Sequence, residues 1–190
     1  MEKLDRLLER LDYAVVQGKT DLDITGIAYD SRKVAKGCLF VCIKGAVSDG
    51  HAYAADAAEK GAAALLVQED VSVPGSVTVL KVPDTRYGLA LASAAWFGHP
   101  AERLKVIGVT GTKGKTTTTY MVKSILEQAG YQVGLIGTIE AIIGSKSIPA
   151  NNTTPESYLV QEYFHQMAEA GCQCVVMEVS SQGLMMHRTA

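Results

Sequence analysis

No stretch of this 190-residue sequence approaches the roughly 18 consecutive apolar residues that a membrane-spanning helix needs. A basic surplus is also missing. Lys and Arg number 18 against 20 Asp and Glu, which leaves no electrostatic footprint for nucleic acid. The four cysteines, Cys38, Cys42, Cys172 and Cys174, show no zinc-finger spacing with histidine or with a second cysteine pair. Reduced core thiols of a cytosolic protein account for them better than a disulfide framework or a metal site. Low-complexity segments and internal repeats are absent, apart from a short Thr run at 116–119. The opening Met1-Glu2-Lys3-Leu4-Asp5-Arg6 is charged and amphipathic, which is not the pattern of a signal peptide.

An apolar content of 47% is enough for a substantial core, and the length suits one or two domains. The most informative stretch is Lys105–Tyr120. Val106-Ile107-Gly108-Val109 reads as a buried strand. It runs into Thr110-Gly111-Thr112-Lys113-Gly114-Lys115-Thr116-Thr117 and then into helix-like sequence as far as Ala129. Strand, glycine loop, Lys-Thr and helix form the layout of a phosphate-binding P-loop. Gly111 and Gly114 allow positive φ and a close approach of backbone to ligand. The loop N–H groups and the helix dipole then favour an anion, Lys115 can reach terminal phosphates, and the Thr116 hydroxyl can ligate Mg²⁺. A strict version of the motif has glycine five places before Gly114, where this chain has Val109.

Around that stretch the pattern is α/β. Leu4, Leu7, Leu8 and Leu11 predict a helix over 2–11. Strands are expected at 24–29, 37–43, 62–67 and 77–82, with helices from Asp49 or Gly50 to about 60 and from 85 to 97. Gly98-His99-Pro100 reads as a domain boundary. Beyond it come the P-loop unit, a strand at 132–138 and a hairpin of 140–143 with 147–148. A helix follows, with Thr154 as its cap and Pro155 at its first position, then a buried strand at 172–179. Two strands plus a hairpin after the loop are few for a P-loop sheet, so a longer polypeptide is expected.

Ligands of open α/β sheets bind at the carboxyl ends of the strands. Glu178 is expected there, at the tip of Val175-Val176-Met177, where it can share Mg²⁺ with Thr116; pairing with a nearby Arg or Lys is the alternative. Asn152, Thr153 and Thr154 can be ligand groups or plain helix caps, and Ser31-Arg32 can be only a turn. His51, His99 and His165 have no partner spacing and read as structural or solvated.

Together these motifs resemble the Mur ligases, in particular the N-terminal part of the MurE-type members (UDP-N-acetylmuramoyl-tripeptide synthetases). The resemblance covers the whole chain. It rests on Tyr29-Asp30-Ser31-Arg32, on Gly37-Cys38-Leu39-Phe40-Val41 with Gly45 and Asp49-Gly50-His51, and on the loop at 111–118. Asn152-Thr153-Thr154-Pro155, Met177-Glu178-Val179-Ser180-Ser181 and His187-Arg188 complete it. The loop alone would indicate only the wider superfamily of Mur and folylpolyglutamate ligases.

The resemblance implies an N-terminal α/β domain at 1–99 that binds the UDP-MurNAc substrate. A truncated P-loop α/β domain, the Mur ligase central domain, would follow at 100–190. It implies an ATP-dependent ligase of peptidoglycan synthesis that joins UDP-MurNAc-L-Ala-D-Glu to an amino acid, meso-diaminopimelate or L-lysine, through an acyl phosphate. Tyr29 and Ser31, with Ala46-Val47-Ser48, match positions near the uridine diphosphate. Gly111, Thr112, Lys113, Gly114, Lys115, Thr116 and Thr117 match the ATP loop. Asn152, Thr153, Thr154, Ser180 and Arg188 match positions that hold the muramoyl-peptide end, and Glu178 matches a Mg²⁺ ligand. Lys115 and Glu178 would be the catalytic pair. ATP and Mg²⁺ are the implied cofactors, and the setting is a cytoplasmic monomer without nucleic-acid or membrane partners. Gln182 stands where family members usually have His, and Met186 where some have Gln. The chain alone is expected to be inactive, lacking the amino-acid domain and the rest of the ATP domain. The alternatives are another ligase of the superfamily, such as a folylpolyglutamate-type synthetase, or a non-catalytic P-loop module.

Overall fold

The computed structural model describes residues 1–45 and 48–190; Ala46 and Val47, named above for the uridine diphosphate, lie outside the described residues. The chain divides into two units, Met1–Trp96 and Phe97–Ala190.

In chain order the first unit contains β1 (Glu2–Lys3), α1 (Leu4–Leu7), β2 (Ala14–Gln17), β3 (Asp23–Ile24), β4 (Ile27–Ala28), β5 (Leu39–Val41), α2 (Ala54–Glu59), β6 (Ala64–Val67), β7 (Thr78–Lys81) and α3 (Thr85–Trp96). Its main sheet has the order β2-β7-β6-β5-β4, with β4 to β7 parallel and β2 antiparallel at the edge. Both faces are covered, as parallel strands require. Phe40, Leu65 and Val67 pack with Ala54 and Ala57 of α2 on one side. On the other, Gly88 of α3 sits so close to Leu66 that an added Cβ would lie 2.7 Å from it. Asp84 caps the start of α3, its carboxylate accepting from the N–H groups of Arg86 at 2.7 Å and Tyr87 at 3.1 Å.

Two expectations are corrected here, and one strand was not foreseen. The helix over 2–11 shrinks to α1, because β1 pairs with β3 and the Leu4 N–H bonds Leu22 O at 2.9 Å, which holds the entry extended. Leu4, Leu7 and Leu8 are nonetheless buried. The strand at 24–29 breaks at Thr25-Gly26, where the chain changes partner from β1 to β5. The edge strand β2 was not expected; it exposes Val15 and Val16, so it carries no alternation to read.

The second unit contains β8 (Lys105–Val109), α4 (Lys115–Gln128), β9 (Val133–Ile136), β10 (Glu140–Ile143), β11 (Lys146–Pro149), α5 (Ser157–Glu169), β12 (Cys174–Glu178) and α6 (Ser181–Met185). Its sheet has the order β11-β10-β9-β12-β8; β9, β12 and β8 are parallel and the hairpin continues it antiparallel. Alternation along β12 sorts the core. Val175 and Met177 join Val160, Phe164 and Met167 of α5 on one face. Cys174 and Val176 join Val133, Leu135 and Leu126 on the face covered by α4. By the same parity Glu178 points to the α4 face. The expectation of a buried P-loop strand is corrected: β8 is a sheet edge among the described residues, and Val106 is 40% exposed.

Candidate functional site

The loop between β8 and α4 ends on Gly114, whose φ of 81° is a left-handed conformation that glycine adopts without strain; Gly111 has φ 147°. Gly114 is the N-cap and supplies no side-chain cap. The first intrahelical bond runs from Thr118 N to Gly114 O at 2.9 Å. The N–H groups of Lys115, Thr116 and Thr117 therefore have no acceptor within the helix and are free for an anion. Lys115 Nζ folds back onto Gly111 O at 2.8 Å, within reach of anything the loop would hold.

Glu178, at the tip of β12, is 1% exposed. Its Oε2 accepts from the Thr116 hydroxyl at 3.0 Å and from the Thr138 hydroxyl at 3.0 Å, and its Oε1 accepts from Thr138 N at 2.8 Å. All three donors are neutral. No Lys, Arg or His among the described residues pairs with this carboxylate. A buried carboxylate without a cation, 3.0 Å from a hydroxyl that opens a P-loop helix, is a donor set of hard oxygens that fits Mg²⁺.

Beside it, Thr154 ties a loop to the strand tip. Its hydroxyl donates to Glu178 O at 2.9 Å and accepts from Ser180 N at 3.0 Å. Arg188 Nη1 donates to Thr154 O at 3.0 Å, and Arg188 Nε lies 3.7 Å from Glu156. Ser180 caps α6 through Gly183 N at 3.0 Å. Thr153 Oγ1 lies 3.0 Å from Thr138 Oγ1.

In the first unit Tyr29 and Ser31 follow β4 at the carboxyl end of the parallel strands, and both are half-buried. Asp30 shapes their turn by accepting from Arg32 N at 3.0 Å, and the Arg32 side chain and N–H hold its carboxyl down at about 2. Lys60 Nζ anchors Ser31 O at 2.9 Å. His51 accepts at Nε2 from Gln68 N at 3.0 Å and faces Asp49 through Nδ1 at 2.6 Å. With both ring nitrogens engaged, the trio Asp49, His51 and Glu69 offers no free imidazole lone pair to a metal.

Residues 23–133, more than half of the chain, match the Mur ligase family catalytic domain, and 109–190 match the Mur ligase middle domain. The chain belongs to the Mur ligase family. Among its relatives is the UDP-N-acetylmuramoyl-L-alanyl-D-glutamate–2,6-diaminopimelate ligase of Clostridium perfringens, 51% identical over 97% of this chain. The protein of the same name from Clostridioides difficile is 48% identical over 98% of it. This Mur ligase chain spans 38% of the length of either relative. A solved structure of a ligase of that name is similar over 98% of this chain and 37% of its own, with a TM-score of 0.80 at 23% identity, a likeness of fold.

Within this Mur ligase chain the structure brings Thr116, Glu178 and Thr153 into one hydrogen-bonded chain through Thr138, and gathers Thr154, Ser180 and Arg188 around the tip of β12. Thr112, Lys113, Thr117 and Asn152 are exposed, and among the described residues no hydrogen bond ties Asn152 to this network. The helix-cap expectation for Thr154 is corrected: the N-cap of α5 is Glu156, and Thr154 is spent on β12. Thr138 and Gly137 were missed. A Cβ on Gly137 would lie 2.6 Å from Glu178 Oε1, so the carboxylate occupies space that only glycine leaves. Their signal is Ile136-Gly137-Thr138, a small residue and a hydroxyl closing an apolar strand. All four cysteines are free and buried, and burial pushes the Cys42 thiol up to about 12, which removes it as a nucleophile.

Thr154 is 1% exposed, and Thr154→Val would leave Glu178 O and Ser180 N without their partner. We expect a loss of about 1–3 kcal/mol in denaturant unfolding, largely restored by Thr154→Ser. An unchanged midpoint for the valine variant would contradict this role.

Proposed function

We propose that this chain is the UDP-substrate-binding and nucleotide-binding portion of an ATP-dependent carboxylate–amine ligase of peptidoglycan precursor synthesis. The reaction would add 2,6-diaminopimelate to UDP-MurNAc-L-Ala-D-Glu in the cytoplasm. The observation that carries this reading is the 51% identity, over 97% of the chain, to a relative named for that reaction. The buried Glu178 beside Thr116 supports the chemistry, and no helix among the described residues is long and apolar enough to cross a membrane.

In this mechanism the D-Glu carboxylate oxygen attacks the γ-phosphorus of ATP, and the bond to the ADP oxygen breaks. The amine then attacks the acyl carbon and releases phosphate and a proton. The N–H groups at the start of α4, with Lys115, hold the phosphates and neutralise charge developing on the transferring group. Glu178 and Thr116 would hold Mg²⁺, which supplies further charge neutralisation when bound. Thr153, Thr154, Ser180 and Arg188 would position the attacking carboxylate, so that reaction is set by placement more than by acid–base work. Tyr29 and Ser31, on the first unit, would contact the uridine diphosphate.

Calorimetry on the chain tests the substrate assignment. UDP-MurNAc-L-Ala-D-Glu is expected to bind, with UDP-GlcNAc at least tenfold weaker. Binding of neither by the folded chain, with ATP·Mg²⁺ still bound, would return the assignment to another ligase of the superfamily.

A further inference from the structure

Glu178 is a carboxylate with four lone-pair directions in the plane of its two oxygens, and it stands at the end of a strand where the backbone fixes only its first atoms. Besides the Thr116 hydroxyl, what fixes the rest is one residue in the turn that follows the neighbouring strand β9. Thr138 reaches Oε1 with its N–H at 2.8 Å and Oε2 with its hydroxyl at 3.0 Å, a two-point grip on one planar group. Gly137 clears the space in which the carboxylate lies. The hydroxyl proton of Thr138 goes to Glu178, so the Thr153 hydroxyl must donate to Thr138, and the donor direction runs from Thr153 through Thr138 to Glu178. Thr116 can turn its hydroxyl away from Glu178 to present a lone pair to a cation. Thr138 can keep both of its bonds when Thr116 turns, because the three bonds to Glu178 come from separate donors.

We propose that Thr138 is a positioning residue for the divalent cation: it orients the Glu178 carboxylate and thereby sets how tightly Mg²⁺ is held, without touching the metal. This rests on the reading of Thr116 and Glu178 as the Mg²⁺ site. Outer-shell partners of this kind change metal affinity by about 10–100-fold when removed.

The test is calorimetry on the chain with a non-hydrolysable ATP analogue, titrated with Mg²⁺. Thr138→Val keeps the N–H and shape but loses the hydroxyl, and is expected to raise the Mg²⁺ midpoint about tenfold. Thr138→Ser is expected to return it to within about twofold, since the hydroxyl is restored. Nucleotide affinity without metal should change far less than the Mg²⁺ midpoint, a split that a general loss of packing would not produce. A valine variant that melts cooperatively and keeps the original Mg²⁺ midpoint would overturn the proposal alone. So would a serine variant as impaired as the valine one. A chain without substitution that binds the analogue with no Mg²⁺ dependence would overturn the metal-site reading and the proposal with it.

Discussion

In a polypeptide of the relatives' full length carrying this sequence, Lys115→Ala is expected to lower ATP-dependent ligation by about two to three orders of magnitude. The loop offers backbone N–H groups, but Lys115 is its mobile full charge at the start of α4. In the structure its ammonium rests on Gly111 O at 2.8 Å, a contact that an arriving phosphate can outbid. The neighbouring Lys113 is exposed and lies before the N-cap, so it is not placed to substitute. Lys115→Arg should rescue poorly, because a planar fork does not replace a compact ammonium in a loop this tight. The half-exposed position predicts little change in melting temperature. Steady-state release of ADP and phosphate, measured with the substrate dipeptide present, checks the expectation; turnover equal to that of the unsubstituted enzyme would remove Lys115 from the reaction.

The second large effect is at Glu178, and it has two opposite signs. Glu178→Gln is expected to abolish Mg²⁺-dependent nucleotide binding at millimolar metal while melting no lower than the unsubstituted chain. The carboxylate is buried among neutral donors, and a charge without a cationic partner is costly to keep there. An amide of the same shape removes that cost. Its oxygen can take the Thr138 N–H, and its NH₂ can face the hydroxyls of Thr116 and Thr138, which rotate to accept. Glu178→Ala is different: it strands the Thr138 N–H and opens a gap, so a loss of about 1–3 kcal/mol is expected. Metal titration and thermal melting on the same two variants read both effects. If the glutamine variant kept its Mg²⁺ dependence, Glu178 would not be a ligand.

The P-loop was legible in the sequence because its chemistry is local: strand, glycines, Lys-Thr and helix are contiguous, and each segment carries its own signal. Glu178 was legible because a carboxylate closing an apolar strand is conspicuous wherever the strand lies. Thr138 was not, since half of its contribution is a backbone N–H, and its value depends on which strand lies next to β12. Thr154 was misread for a related reason. Thr-Pro-Glu before a helix is a strong capping pattern, yet a bond to residues 24 and 26 positions away captured the hydroxyl first. The exposure of β8 and the shortening of α1 depend on neighbours too: an apolar strand is as apolar at an edge as in the centre, and a leucine stripe does not reveal that β1 has claimed its first residues. The fold class was therefore readable from periodicity, whereas the terms of each contact were written by strand order.

Thr154 grips the chain where it leaves β12, on either side of Val179, with one bond to the carbonyl of Glu178 and one to the N–H of Ser180. The proposed holder of the metal and the proposed holder of the attacking carboxylate are thus pinned to the same three residues of chain. When the strand tip drifts, both carry the same displacement, and the gap between them stays constant while its location wanders. Positional error in such a site does not accumulate across parts, because one short segment serves as the common datum for both.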